Sequence, residues 1–270
     1  MKINCAIVQM NSGSDRDENL KRVDELVKRA VGSGAEIVAL PENFAFMRDP
    51  GEKKIKGERL DGPIISRVRE IAKRESLFIL AGSFPQKSPN PEKVYNTSVM
   101  IGPRGEIIAA YRKIHLFDVR VPQGESHNES RRVAPGKQAV VADTSLGRMG
   151  LTICYDLRFG GLYQHLADHG ALIIFSPAAF TELTGKAHWE VLIRSRAIEN
   201  QVFMIAPAQY GVHPGNRRTY GHSMIVDPWG TILAEIPQGE GIAVASLDLD
   251  YLNEVRKAMP CSDHRVSFED

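Results

Sequence analysis

The chain has 270 residues, 43% hydrophobic and 25% charged, enough to bury a large core. Thirty-four basic against thirty-three acidic side chains leave a formal net charge of +1, so no overall field draws it to nucleic acid or to a membrane surface, and a small molecule is the expected partner. The start lacks a signal-peptide pattern, no apolar run nears the roughly 20 residues that span a bilayer, and three scattered cysteines suggest neither disulfides nor a zinc site; the cytoplasm is the expected location.

Residues 3–9 predict a strand, and 19–31, apolar at Leu20, Val23, Leu26, Val27 and Ala30, an amphipathic helix. A strand at 37–40 and a helix at 64–74 repeat the alternation, and strands follow at 78–84, 95–101 and 107–111. Residues 113–137 show no period and are rich in Gly, Pro, Ser and charge, the mark of a functional or disordered loop. Strands at 138–143 and 149–153, a helix at 162–169, a strand at 172–176, a helix at 189–200 and a strand at 202–208 resume the rhythm. The final strands, 223–226, 232–236 and 241–247, are separated by Asp227-Pro228-Trp229-Gly230 and by Pro237 to Gly241, which predicts two hairpins; a helix at 252–258 follows. With no Pro-rich linker and no repeat, residues 1–270 are expected to be a single domain. Two sheets packed face to face between helices, a four-layer α-β-β-α sandwich of the α/β class, accommodate both rhythms.

Three residues stand where chemistry collects. Cys154 ends an apolar strand and precedes a turn and a helix, a place where a nucleophile is held exposed beside free backbone N–H groups; a thiol there is also commonly a packed core residue. Glu42 follows Val38-Ala39-Leu40-Pro41 at a strand's carboxyl end, where burial would raise its pKa towards that of a useful base, although such glutamates are often solvated. Lys113, just after a strand, could stabilise an oxyanion or serve only as a surface charge.

The segments Leu40-Pro41-Glu42-Asn43, Tyr111 to Asp118 and Gly150 to Phe159 resemble, in order and spacing, the three signature blocks of the nitrilase superfamily of carbon-nitrogen hydrolases. The likeness continues through Ser176 to Thr181, Thr184 to Glu190, Arg194 to Gln201 and Tyr220 to Gly230, and so covers nearly the whole chain. It implies the α-β-β-α sandwich, a homodimer or higher homo-oligomer, and a triad of Glu42 (general base and acid), Lys113 (oxyanion stabiliser) and Cys154 (nucleophile), acting through a thioester without metal or organic cofactor. It implies a second glutamate after the lysine, at Glu129 or at the competing Glu125.

Residues 190–201 and 220–223 are similar to the Nit branch, which holds ω-amidases and deaminated-glutathione amidases, and Ala187 to Leu192 and Arg218 to Met224 lean to the second. Either substrate carries a carboxylate, so Arg217, Arg218, Arg131, Arg132 and Lys186 are candidate anchors, and Tyr155, Phe180, Thr181 and His188 candidate substrate contacts. Two departures stand out: Gly160-Gly161 replaces the Pro-Glu that many relatives carry after Arg-Phe, and the tail from Cys261 to Val266 lacks the usual second arginine and tyrosine. Both bear on the dimer contact and the tail rather than on the triad. The eight histidines show no metal-ligand spacing, which argues against a metal-dependent amidohydrolase. A non-catalytic binding protein on the same fold is the alternative of a different class.

Overall fold

The computed structural model describes residues 1–49, 51, 56–121 and 126–266. The first half runs β1 (Lys2–Gln9), α1 (Arg16–Gly32), β2 (Ile37–Ala39), α2 (Pro63–Glu75), β3 (Phe78–Lys87), β4 (Val94–Ile101), β5 (Ile107–Arg112), β6 (Asp118–Arg120) and β7 (Ser126–Asn128). The second continues with β8 (Val140–Thr144), β9 (Gly147–Leu151), α3 (Gly160–Asp168), β10 (Ile173–Phe175), α4 (Glu182–Asn200), β11 (Phe203–Ala206), β12 (Tyr210–His213) and β13 (Arg217–Tyr220). It closes with β14 (Ser223–Val226), β15 (Ile232–Ile236), β16 (Gly241–Asp248) and α5 (Leu249–Ala258).

Two six-stranded sheets form, ordered β16-β1-β2-β3-β4-β5 and β15-β14-β11-β10-β9-β8. Each has two parallel pairings at its centre and antiparallel ones outside: β1-β2-β3 in the first, β9-β10-β11 in the second. Strand periodicity explains the layering. Along β1, Ile3, Cys5 and Ile7 enter the core between the sheets, whereas Ala6 and Val8 pack under α1 and α2 with Leu20, Val23, Val27 and Val68. A strand buried on both faces has a continuous apolar run, which is what residues 5–8 show. On the far side α3 and α4 cover the second sheet through Tyr163, Leu166, Trp189 and Ile193. The result is the four-layer α-β-β-α arrangement.

Local chemistry sets the helix limits. Asp15 caps α1 by accepting from the N–H groups of Asp17 and Glu18, and Asp248 does the same for α5. Helix α4 begins seven residues before the expected start, because its first turn is anchored by Thr184 and Gly185, buried against β13. A Cβ on Gly185 would stand 2.3 Å from the Tyr220 side chain. Among the described residues no helix is long and apolar enough to cross a membrane.

Two expectations need correction. Residues 237–241 do not close a hairpin: β15 pairs with β14 in the second sheet and β16 with β1 in the first, so this turn carries the chain from one sheet to the other. The stretch from 113 to 137 is also not structureless among the described residues. Short β6 and β7 pair, and a 3-10 turn follows at Glu129–Arg131, capped by the Asn128 side chain on the Arg131 N–H.

Candidate active site

Three strand ends converge at one end of the sandwich. β2 gives way to Leu40-Pro41-Glu42, and the chain passes directly over β3 at Gly82, where a Cβ would lie 1.9 Å from the Pro41 carbonyl oxygen. Only glycine permits this approach. Asn43 then turns in the left-handed region at φ 56° and donates its N–H to Ser83 Oγ at 3.1 Å. After β5, the Lys113 N–H donates to the Asn96 carbonyl of β4 at 2.9 Å. After β9, Cys154 begins a 3-10 turn at φ 48°, with its N–H on the Pro177 carbonyl at 3.0 Å. A non-glycine residue in that region is uncommon, and here it marks the sharp turn that exposes the thiol to the cavity.

The side chains meet in near-complete burial: Glu42 is 3% exposed, Lys113 2% and Cys154 9%. Lys113 Nζ donates to Glu42 Oε1 at 3.1 Å and to Glu129 Oε2 at 2.9 Å. Glu42 Oε1 also accepts from Asn96 Nδ2 at 2.8 Å, and its Oε2 from the Ala179 N–H at 2.8 Å. Glu129 is held in turn by the Phe117 N–H at 2.7 Å. Glu125, its competitor in sequence, lies outside the described residues.

One ammonium between two carboxylates decides the protonation states. Burial pushes the Glu42 carboxyl up, but the Lys113 ammonium and hydrogen bonds from Cys154 and Lys113 outweigh it and hold Glu42 below the ordinary glutamate value. This corrects the expectation of a raised pKa, which considered burial without its cation. Burial lowers Lys113, but Glu129 and Glu42 more than offset it and keep its pKa well above the usual lysine value. Burial and the Glu42 charge raise the Cys154 thiol, with Lys113 opposing. The resting state is therefore a thiol and a carboxylate beside an ammonium, equipped to pass one proton and to stabilise one oxyanion.

A cavity of about 480 Å³ opens onto these groups. Tyr155, Phe180 and Thr181 line it, as do Arg132 and Arg217. His188 and Arg218 do not. His188 is exposed on α4 with its Nδ1 3.3 Å from Arg158, and Arg218 faces a neighbouring hollow of about 370 Å³, 3.6 Å from Glu182. Lys186 is bound to Glu182 in that same hollow, and Arg131 is exposed. Gly160 makes room for Arg196, which donates to the Leu157 carbonyl at 3.0 Å, so the turn after Cys154 is braced from α4.

Asn96 and Asp156 are site residues that sequence reasoning passed over. The signal for Asn96 is an amide in the middle of a strand buried on both faces. Asp156 is fully buried and accepts from Tyr111 Oη at 2.7 Å, the Ile153 N–H at 2.9 Å, the His115 N–H at 3.0 Å and His115 Nδ1 at 2.8 Å. It thereby ties the segment carrying Lys113 to the turn carrying Cys154. Replacing Asp156 with Ala strands these donors, and urea unfolding is expected to show a loss of about 3 kcal/mol or more. An unchanged unfolding midpoint would leave the network without energetic weight.

Sequence and structure comparisons agree with this geometry. The family model for carbon-nitrogen hydrolases matches residues 4–257. A deaminated glutathione amidase of Synechocystis sp. is 46% identical over 97% of this chain and 97% of its own, and the Homo sapiens protein of that name is 41% identical over 96% and 81%. The crystal structure of Saccharomyces cerevisiae Nit3, a member of branch 10 of the nitrilase superfamily, superposes with a TM-score of 0.86 at 32% identity, covering 98% of this chain and 97% of that one. The chain belongs to the carbon-nitrogen hydrolase family, and so to the enzymes that hydrolyse carbon–nitrogen bonds.

Proposed function

We propose that the chain hydrolyses a carboxylate-bearing amide through a thioester on Cys154, with Glu42 as base and acid, Lys113 as oxyanion stabiliser and Glu129 holding Lys113 in place. The observation that carries this reading is the buried convergence of the three groups on one cavity: Lys113 Nζ stands 3.1 Å from Glu42 Oε1, and Glu42, Lys113 and Cys154 all line that cavity while almost fully buried. Glu42 takes the thiol proton as sulfur attacks the amide carbon. Lys113 and the Tyr155 N–H receive the oxyanion. Collapse breaks the carbon–nitrogen bond, and Glu42 gives its proton to the departing amine. Water, deprotonated by Glu42, then cleaves the thioester, which releases the acid and restores the thiol. None of these steps draws on a metal or an organic cofactor.

Deaminated glutathione is the substrate we propose, on the strength of the relatives' names. The shape of the site favours it over a small ω-amide. The main cavity and the neighbouring hollow share His127 and Thr181, so there is room beyond the reacting carbon for a leaving group much larger than ammonia. Tyr155, Phe180 and Thr181 are the proposed walls of the acyl pocket. Turnover quenched in acid and weighed as intact protein is expected to show Cys154 heavier by the keto-acid acyl group, with dipeptide amine released. Product formation with no adduct at any quench time would overturn the thioester route.

We read residues 1–270 as one domain, because a single core cluster draws on both sheets. A cytoplasmic location fits three unpaired cysteines, of which Cys261 is exposed. A homodimer is supported by an uncovered apolar face: Val191 and Ile198, seven residues apart on α4, are 65% and 49% exposed, and Ile198 abuts the Gly230 turn that presents Trp229.

A further inference from the structure

We infer that Arg217 holds the free carboxylate on the acyl part of the substrate and so selects amides of dicarboxylic acids. The inference rests on the amidase reading above and assigns the cation that reading leaves open.

Strand alternation makes the choice between neighbouring arginines. β12 and β13 form a hairpin in which His213 pairs with Arg217 and Val212 with Arg218. Its connection turns through Gly215 at φ 74° and Asn216 at φ 58°, successive left-handed residues of the two types that tolerate that region best. Along β13 side chains alternate, so Arg217 enters the cavity that holds Cys154 and Arg218 points to the outer hollow. The turn end of the hairpin is fixed by His213, whose Nδ1 lies 3.0 Å from the Ser12 carbonyl and Nε2 2.7 Å from Thr219 Oγ1. Burial lowers the His213 pKa, which keeps the ring neutral and able to donate at one nitrogen and accept at the other. Ser12 continues the chain: its Oγ accepts from Gln209 Nε2 at 2.8 Å, and Gln209 Nε2 also donates to the Glu42 carbonyl at 2.9 Å. Arg217 is thus held at a set span from the reacting centre.

Its chemistry points to a ligand. Arg217 Nε is buried and has no hydrogen-bond partner among the described residues, and Nη1 only approaches Met47 Sδ at 3.6 Å. A buried guanidinium donor without an acceptor is costly, and the planar fork suits a carboxylate in two-point contact. Lys113 cannot serve, since two carboxylates already occupy it. The acyl part stays on Cys154 after the amine leaves, so the amine must lie on the side with an exit. The outer hollow, which shares His127 and Thr181 with the cavity, gives the amine such a space, while Arg217 lines the inner cavity together with Cys154 and not that hollow.

Two amides of equal length test this, one ending in a carboxylate and one in its methyl ester. The ratio of their kcat/KM values is expected to fall roughly 30-fold in Arg217→Met, mostly through KM, as befits a lost charge-assisted hydrogen bond. Arg217→Lys should recover part of the preference, and Arg131→Met, outside the cavity, should leave the ratio unchanged. A ratio unmoved by Arg217→Met, or both substrates slowed by the same factor, overturns the inference. Calorimetry with glutarate on the Cys154→Ala protein reads the anchor without turnover, and adding Arg217→Met should weaken binding by the same roughly 30-fold. Glutarate binding that ignores Arg217 while the thioester still forms sinks the anchor alone. Arg217-dependent binding with no thioester in the wild-type enzyme sinks the amidase route and leaves the anchor standing.

Discussion

Cys154→Ser is expected to cut kcat/KM by roughly ten-thousand-fold while the protein still folds. The substitution changes one atom at a backbone position already committed to φ 48°, so neither the turn nor the surrounding core has to move. What changes is the proton. Burial and the Glu42 charge already raise the Cys154 thiol well above its ordinary value. A hydroxyl starts far higher on the same scale. Glu42, held below the ordinary carboxylate range, is a weak base that can take a thiol proton only as sulfur attacks and Lys113 receives the charge. Oxygen in the same place leaves it too large a gap. Steady-state rates and intact mass decide the matter together: more than a trace of turnover, or an acyl adduct on the serine protein, would mean that another residue is the nucleophile.

The periodic parts of the fold were legible, and the reasons are physical. Strands such as β10 and β11, buried on both faces, show as uninterrupted apolar runs, and α1 shows its inward stripe at Leu20, Val23 and Val27. Short elements were not. β12 and β13 have four residues each, and the Gly215-Asn216 turn between them is plain only once the hairpin is known. The crossing at residues 237–241 looked like a hairpin because turn residues announce a change of direction without naming the sheet that receives the next strand. Glu42, Lys113 and Cys154 were marked by their places at strand ends. The direction of the Glu42 pKa was not, since it depends on a lysine 71 residues away. Likewise, nothing in the pair Arg217-Arg218 says which one turns inward; that is fixed by register against His213.

Glu42→Gln is expected to slow turnover by roughly a thousandfold, and its effect on stability to depend on pH in a direction set by the same ammonium. Glu42 Oε1 accepts from Lys113 and Asn96, and Oε2 from the Ala179 N–H. A glutamine must turn its NH2 towards one set of these donors, which leaves at least one buried donor unpaired and costs about 1–3 kcal/mol in addition to the lost ion pair. The Glu42 carboxylate has a folded-state pKa below its unfolded value, so its contribution to stability is complete above the unfolded value and lost as pH falls through the folded one. Lys113 is shifted upwards, so its contribution is complete below the ordinary lysine value and lost only as pH rises through its folded value. The gap in unfolding free energy between wild type and Glu42→Gln should therefore be widest near neutrality and close as pH drops below the ordinary glutamate range. The acid limb of wild-type kcat/KM should lie in that same low region, not near neutrality, because the base is already ionised there. A wild-type acid limb between pH 6 and 7, outside the roughly 4.3 of an unperturbed glutamate, would mean that Glu42 titrates free of Lys113 and that the buried pair does not control the reaction.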